Sequence, residues 1–213
     1  MPPVAKPAGE DELAHRRHVC SRLIELDSWT DRIDLEKIFG RKAPSHVDLG
    51  CGDGSFLCAL AQRMPEKNFL GIDRLLNRIR SAVRRAANLS NVRLLRVESS
   101  YAARYLLPPV SVETFYLLFP DPWPKRRHHN RRIMTLDFLN SVYAALDDNG
   151  ALMIATDHLD YFREVGRIAR THFGFTTADV ADVDLPLTKF QETFRAEGAP
   201  IYWLELRKAS PVR

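Results

Sequence analysis

Between residues 119 and 132 the chain reads FPDPWPKRRHHNRR. One carboxylate, Asp121, is fixed between Pro120 and Pro122. Trp123 and Pro124 follow, and then five fixed positive charges, Lys125, Arg126, Arg127, Arg131 and Arg132, with His128 and His129 among them. Proline locks φ and narrows the freedom of the loop, so the acid is pre-positioned. A rigid acid suits the recognition of a proton-bearing or cationic group, and the cations beside it suit phosphate. A solvated turn would need neither the prolines nor the absence of any further acid from residue 122 to 136.

A second constellation lies upstream. VDLGCGDG, residues 47–54, places Gly50, Gly52 and Gly54 between an apolar run and a helical one. Glycine is required where a loop backbone must approach a ligand or take positive φ. Dinucleotide sites use GxGxxG to set a pyrophosphate on a helix N-terminus. Here the spacing is GxGxG, and Asp48 stands two residues before the first glycine. That acid would repel a pyrophosphate but suits a ligand carrying an ammonium group, and S-adenosylmethionine has that property. Asp73, 19 residues after Gly54, can accept hydrogen bonds from both ribose hydroxyls, and Glu98 can meet an adenine amino group. The competing reading is three unrelated surface acids beside a structural loop.

The elements that must position these residues follow from periodicity. Helical patterns cover about 11–27 and 31–39, the second closed by Gly40. SHVDLG and NFLGID read as short buried strands, separated by the helix GSFLCALAQRM that Pro65 stops. RLLNRIRSAVRRAANL is a further helix. NVRLLRV, VETFYLLF and ALMIAT are strands, with helices near 100–107, 133–146 and 158–172, and FTTADV and IYWLELR are two late strands. Alternation of this kind predicts a mostly parallel α/β sheet covered by helices on both faces. Each acid then falls at a strand end, on the edge where open sheets bind ligands. Residues 1–12 read as a loose, proline-rich tail and 13–213 as one domain, with no internal repeat.

The 213 residues are 45% apolar, enough for a full core, and carry a net charge of +4. The charge is uneven: between Asp73 and Glu98 lie seven arginines and no acid. Such clusters suggest an anionic partner, most often nucleic acid. On the helix after Asp73, Leu75, Leu76, Ile79, Val83 and Ala86 share one face and the arginines occupy the rest, which a plain solvent face would also explain. Cys20, Cys51 and Cys58 form no paired framework, consistent with a reducing cytoplasm. No run approaches a membrane span, and His128 and His129 lack a third ligand at metal spacing.

FPDPWPKRRHHNRR, with GIDR at 71–74, ATDHLDYF at 155–162 and LTKFQETF at 187–194, resembles the bacterial tRNA (guanine-N7)-methyltransferases, over about residues 46–207. The resemblance implies a doubly wound, Rossmann-like sheet of seven strands with an antiparallel end, S-adenosylmethionine as cofactor and tRNA as substrate. Nothing in the sequence itself calls for a metal, a membrane or a protein partner; relatives occur alone or with partners. By position the resemblance makes Asp48, Asp73, Glu98 and Asp121 cofactor-site acids beside Gly50, Gly52 and Gly54, and Asp121 the catalytic residue. It assigns Lys125 and Asp157 to the substrate and the segment holding Arg127, His128, Arg131 and Arg132 to RNA. Thr188, Lys189, Phe190 and Gln191 match a tetrapeptide that lines the site. Three positions depart from the pattern: Asp73 and Gln191 where the family usually has Glu, and Asn130 where it usually has Lys. Another RNA methyltransferase on this fold, a non-catalytic RNA-binding relative and a small-molecule methyltransferase are the rival readings. The last leaves the cationic segment unexplained.

Overall fold

The computed structural model describes residues 22–172, 174–180 and 184–209. Its centre is the pair β2 (Ser45–Leu49) and β3 (Asn68–Ile72), every residue of which is buried. Short strands with no polar face form where helices cover both sides of a sheet. β4 (Val92–Leu95) and β5 (Val112–Leu118) flank them in parallel, and β6 (Leu146–Thr156) lies parallel to β5. β7 (Phe175–Asp179) and β8 (Tyr202–Lys208) close that end of the sheet, β8 running antiparallel between β6 and β7. A two-residue strand, β1 (Leu23–Ile24), adds to β4, giving the order β1-β4-β3-β2-β5-β6-β8-β7.

Among the described residues the sheet therefore has eight strands where seven were expected. The helix expected over 11–27 is corrected as well. Its described end contains β1, whose backbone takes the open edge of β4, and its residues up to 21 lie outside the described ones. The helix expected over 31–39 shortens to α1 (Leu35–Phe39), because Asp34 caps it by accepting the Lys37 N–H at 3.0 Å.

Two cores sandwich the sheet. One packs α1, the segment Ala102–Leu106, α5 (Leu136–Ala145) and α6 (Leu159–Arg170) on one face. The other packs α2 (Ser55–Arg63) and α3 (Leu76–Arg85) on the opposite face. The remaining helices are α4 (Ser99–Tyr101), continued by a π-helical turn over Ala102–Leu106, and α7 (Lys189–Ala196). Ile79 and Ala82 of α3 are fully buried, and burying a side chain the size of Ile79 is worth about 1.5–3 kcal/mol. Leu75, expected on the same apolar face, stands outside it and is exposed, because the helix begins only at Leu76.

Candidate functional site

The parallel strands β2 to β6 deliver their C-terminal ends to one edge, and the residues with chemistry sit there. Asp48 lies within β2, Asp73 follows β3, Glu98 follows β4, Asp121 follows β5 and Asp157 follows β6. The glycine loop opens that edge. The Gly50 and Cys51 amides both donate to Ile72 O, at 2.8 and 2.9 Å, folding the loop back over β3. Gly50, Gly52 and Gly54 have φ of 90°, 57° and 75°, a region that disfavours side chains. Nothing within 4 Å would meet a Cβ at Gly50 or Gly52, so the loop presents bare backbone to the edge. A Cβ at Gly54 would stand 2.8 Å from Ala82 Cβ, so this glycine lets α3 close on the loop.

Asp48 is 3% exposed. Burial, and then the charge of Asp73, raise its pKa to about 7. A carboxylate held so uncomfortably favours a cationic ligand. Asp73 turns inward: Oδ1 accepts the Leu75 amide at 2.8 Å and Oδ2 the Gly52 amide at 3.1 Å, with Arg78 Nη1 at 3.7 Å. Each carboxylate oxygen accepts two bonds, so a ribose hydroxyl can still be bound, but this short acid also serves as the staple of the loop. Glu98 is exposed and caps α4, its carboxylate accepting the Tyr101 amide at 2.8 Å. These features fit a ligand with an ammonium group and a nucleoside: bare amides, a buried acid and further acids along one edge.

The loop carrying Asp121 is held from both sides. Phe119 and Trp123 adopt φ of 52° and 41°. Such values in bulky residues cost about 1–3 kcal/mol each and persist only when the surroundings impose them. Arg132 is one such restraint. It is 6% exposed, donates to Pro122 O at 2.7 Å and Trp123 O at 3.3 Å, pairs with Glu164, and lies over the Tyr161 ring. Its assignment to RNA contact is therefore corrected: the guanidinium is spent inside the protein, aiming the Asp121 loop. Asp121 itself is exposed at the edge.

Lys125, Arg126, Arg127 and Arg131 are exposed, on and beside a 3₁₀ helix over Arg126–Arg131. Trp123 is half-buried, packed edge-on against half-buried His128 and beneath Arg131, whose Cζ is 5.0 Å from its ring centre. Arg93, one of the seven clustered arginines, is also internal; it is 3% exposed and donates to the carbonyls of Ile38, Ser90 and Val92.

Thr188 and Gln191 form a capping box at the start of α7. The Gln191 amide donates to Thr188 Oγ1 at 3.1 Å, and Gln191 Oε1 accepts the Thr188 amide at 2.9 Å. Both residues are buried, whereas Phe190 is 54% exposed and tilts towards Phe119, at 6.1 Å between ring centres. Lys189 Nζ is 2.6 Å from Asp53 Oδ2 in the glycine loop. The structure thus brings together the glycine loop, the Asp121 loop and the 188–191 segment, three stretches far apart in sequence. It adds Asp53, Phe119, Phe194 and Glu164, which the motifs had not singled out. Asp53 stood in plain sight between two glycines, but its partner lay 136 residues downstream. Among the described residues no His/Cys/Asp/Glu group is arranged to hold a metal, and no helix is long and apolar enough to cross a membrane.

A sheet of this order, with one antiparallel strand inserted near its end and a glycine loop and acids at the parallel C-terminal edge, is a class I methyltransferase domain. The solved 16S rRNA methyltransferase KamB superposes with a TM-score of 0.60, at 16% identity, covering 85% of this chain and 95% of that one. A family described as "Putative methyltransferase" matches residues 42–204. A tRNA (guanine-N(7)-)-methyltransferase of Geobacillus kaustophilus is 31% identical over 209 residues, 94% of each chain. One of Syntrophotalea carbinolica is 32% identical over 194 residues, 85% of this chain and 82% of its own. One of Thermotoga maritima is 37% identical over 181 residues, 83% of this chain; the aligned part spans 58% of that longer relative. The chain belongs to the tRNA (guanine-N7)-methyltransferase family.

Proposed function

We infer that this protein transfers a methyl group from S-adenosylmethionine to N7 of a guanosine in tRNA, in the variable loop as the family resemblance implies. The observation that carries the reading is the Asp121 loop. The loop's one acid stands at the ligand edge on a strained backbone that Arg132 holds, directly before a cationic 3₁₀ helix.

Bound at the glycine loop, S-adenosylmethionine supplies an electrophilic methyl on a sulfonium. Gly50 and Gly52 would let that ligand approach the backbone, Asp48 would hold its ammonium group, and Asp73 and Glu98 would hold the nucleoside. Guanine N7 has a lone pair and no proton, so no strong base is needed. Positioning is the main requirement, and good alignment supplies about 7–11 kcal/mol of the barrier. Asp121 accepts hydrogen bonds from guanine N1–H and its amino group, which orients N7 and offsets the positive charge that develops on the ring. Asp157, half-buried after β6, is a second acceptor on the same edge. Removing the base from its stack costs a few kcal/mol, and phosphate contacts from Lys125, Arg126, Arg127 and Arg131 offset that. Gln191 does not weaken the reading, because its capping bond needs an acceptor and not a charge.

The test is incubation of the purified protein with an unmodified tRNA transcript and labelled S-adenosylmethionine, followed by digestion and mass identification of the nucleosides. N7-methylguanosine is expected. A different methylated nucleoside, or none despite binding of both substrates, overturns the assignment.

A further inference from the structure

Helix α3 carries more positive charge than its own stability can use. It holds Arg78, Arg80, Arg84 and Arg85 and no acid, and Arg74 stands just before it. A cation in the first turn, as at Arg78, opposes the helix dipole; Arg84 and Arg85 in the last turn suit it, but like charges four residues apart, as at Arg80 and Arg84, repel.

The five arginines divide into two sets. At about 100° per residue, Arg78 and Arg85 flank the buried side that holds Ile79 and Ala82. Both reach carboxylates: Arg78 lies 3.7 Å from Asp73 and Arg85 3.1 Å from Asp53. Arg80 and Arg84 project from the opposite side, and Arg74 is exposed at the ligand edge. Among the described residues none of these three pairs with a carboxylate, and Arg84 reaches only Ser81 Oγ, at 2.9 Å. The outward helix surface that Arg80 and Arg84 share with Asn77 and Ser81 holds no large apolar side chain, although exposed Leu75 stands next to Arg74 before the helix begins. A membrane or a protein partner would want an apolar anchor there. Guanidinium forks without one suit phosphate.

This surface is continuous with the proposed site. Arg85 and Lys189 meet on Asp53, Lys189 begins α7, and Phe190 and Phe194 of α7 approach Phe119 at the root of the Asp121 loop. Only β2 separates β3, which leads into α3, from β5, so the two loops leave the sheet about 10 Å apart. One RNA can therefore cover both.

We propose that Arg74, Arg80 and Arg84 form a second phosphate-binding surface for tRNA, engaging a stretch of backbone different from the one held by residues 125–131. The inference rests on the tRNA reading above. It makes the arginine face part of substrate selection, since an RNA too short to span both surfaces would lose one of them.

The test compares equilibrium tRNA binding, across a salt series, for wild type and the triple variant Arg74→Gln/Arg80→Gln/Arg84→Gln. Lys37→Gln/Lys42→Gln/Arg170→Gln, exposed cations on or next to helices of the opposite face of the sheet, serves as a charge-matched control, and thermal unfolding confirms that each variant is folded. Affinity of the arginine variant should fall at least tenfold near physiological salt. Its slope of log affinity against log salt should be shallower by about 2–3, since each phosphate contact contributes close to 0.9, while the control keeps the wild-type slope. Wild-type slope and affinity in the arginine variant, or an equal loss in the control, overturn the proposal alone. Failure of wild type to bind tRNA overturns the functional reading and the proposal with it.

Discussion

Lys189 Nζ stands 2.6 Å from Asp53 Oδ2, so the first residue of α7 is tied to the glycine loop between Gly52 and Gly54. Burial alone would raise the Asp53 pKa. Bonds from Lys189 and Ser55, with the charge of Arg85, outweigh it and hold the group at about 2. A depressed carboxylate contributes stability above its ordinary pKa and loses it as pH falls through about 2, so the tie is intact at every physiological pH. Lys189 is two-thirds exposed, and such pairs contribute roughly 0–1 kcal/mol. The tie therefore acts on position more than on stability. Lys189→Met should leave the unfolding midpoint within a few degrees yet raise KM for tRNA severalfold. Asp53→Asn should do the same, and the double variant should be no worse than the worse single one in steady-state kinetics.

Asp48 works against the fold that holds it. Its pKa is raised to about 7, so the folded state binds a proton more readily than the unfolded chain, and stability declines as pH rises from about 4 towards 7. Asp48→Asn should stabilise the free protein at pH 8 by about 1–3 kcal/mol, measured by denaturant unfolding. It should also weaken S-adenosylmethionine at least tenfold by calorimetry. In wild type, donor affinity should fall as pH drops below about 7.

Arg132 links loop geometry to the core that holds α6. Arg132→Met leaves Glu164 without its partner and two carbonyls of the Asp121 loop without a donor. A loss of about 2–4 kcal/mol is expected, together with most of the turnover. Glu164→Gln added to it should recover part of the stability and none of the turnover. Recovery of both would show that the carbonyl bonds do not aim the loop.

Gln191→Glu should keep turnover within about threefold, because glutamate also closes a capping box and an acid suits the first turn. Gln191→Ala should cost about 1–2 kcal/mol, since the Thr188 amide it satisfies is buried. Thermal unfolding and initial rates separate the two outcomes.

Asp121→Ala should lower kcat by roughly 10²–10³-fold, the range for removing one preorganised electrostatic contact. Donor affinity should stay within tenfold, because the glycine loop and Asp48 are untouched. Wild-type turnover in this variant would remove Asp121 from the mechanism.

The sheet, and the strand ends at which the acids fall, were legible in the sequence because their signals are local. SHVDL and NFLGI are short segments followed directly by glycine or acid, and Gly40, expected to close a helix, does so with φ of 69°. What was not legible depends on distant partners. β1 is two residues long and exists because β4 offers it an edge, so no periodicity marks it. Arg93 and Arg132 carry the same letter as Arg80 and Arg84, but carbonyls brought from elsewhere in the fold draw them inside. His46 is buried between Tyr116 and Glu113, 70 and 67 residues away, and nothing near it in sequence announces that network. The capping box from Thr188 to Gln191 spans only four residues, yet the family pattern presented the same residues as site lining.

Strand β8 is late in the chain but interior to the sheet. Until Tyr202–Lys208 has been synthesised, β7 has no neighbour and β6 presents an open edge with its backbone groups unpaired. The parallel half, with every acid of the ligand edge, can assemble on the ribosome well before that strand arrives. A nascent chain can therefore carry the parallel edge with its acids and, for some seconds, an adhesive flank. That interval is when this protein would depend most on a chaperone, and a nonsense codon between β7 and β8 would make the state permanent.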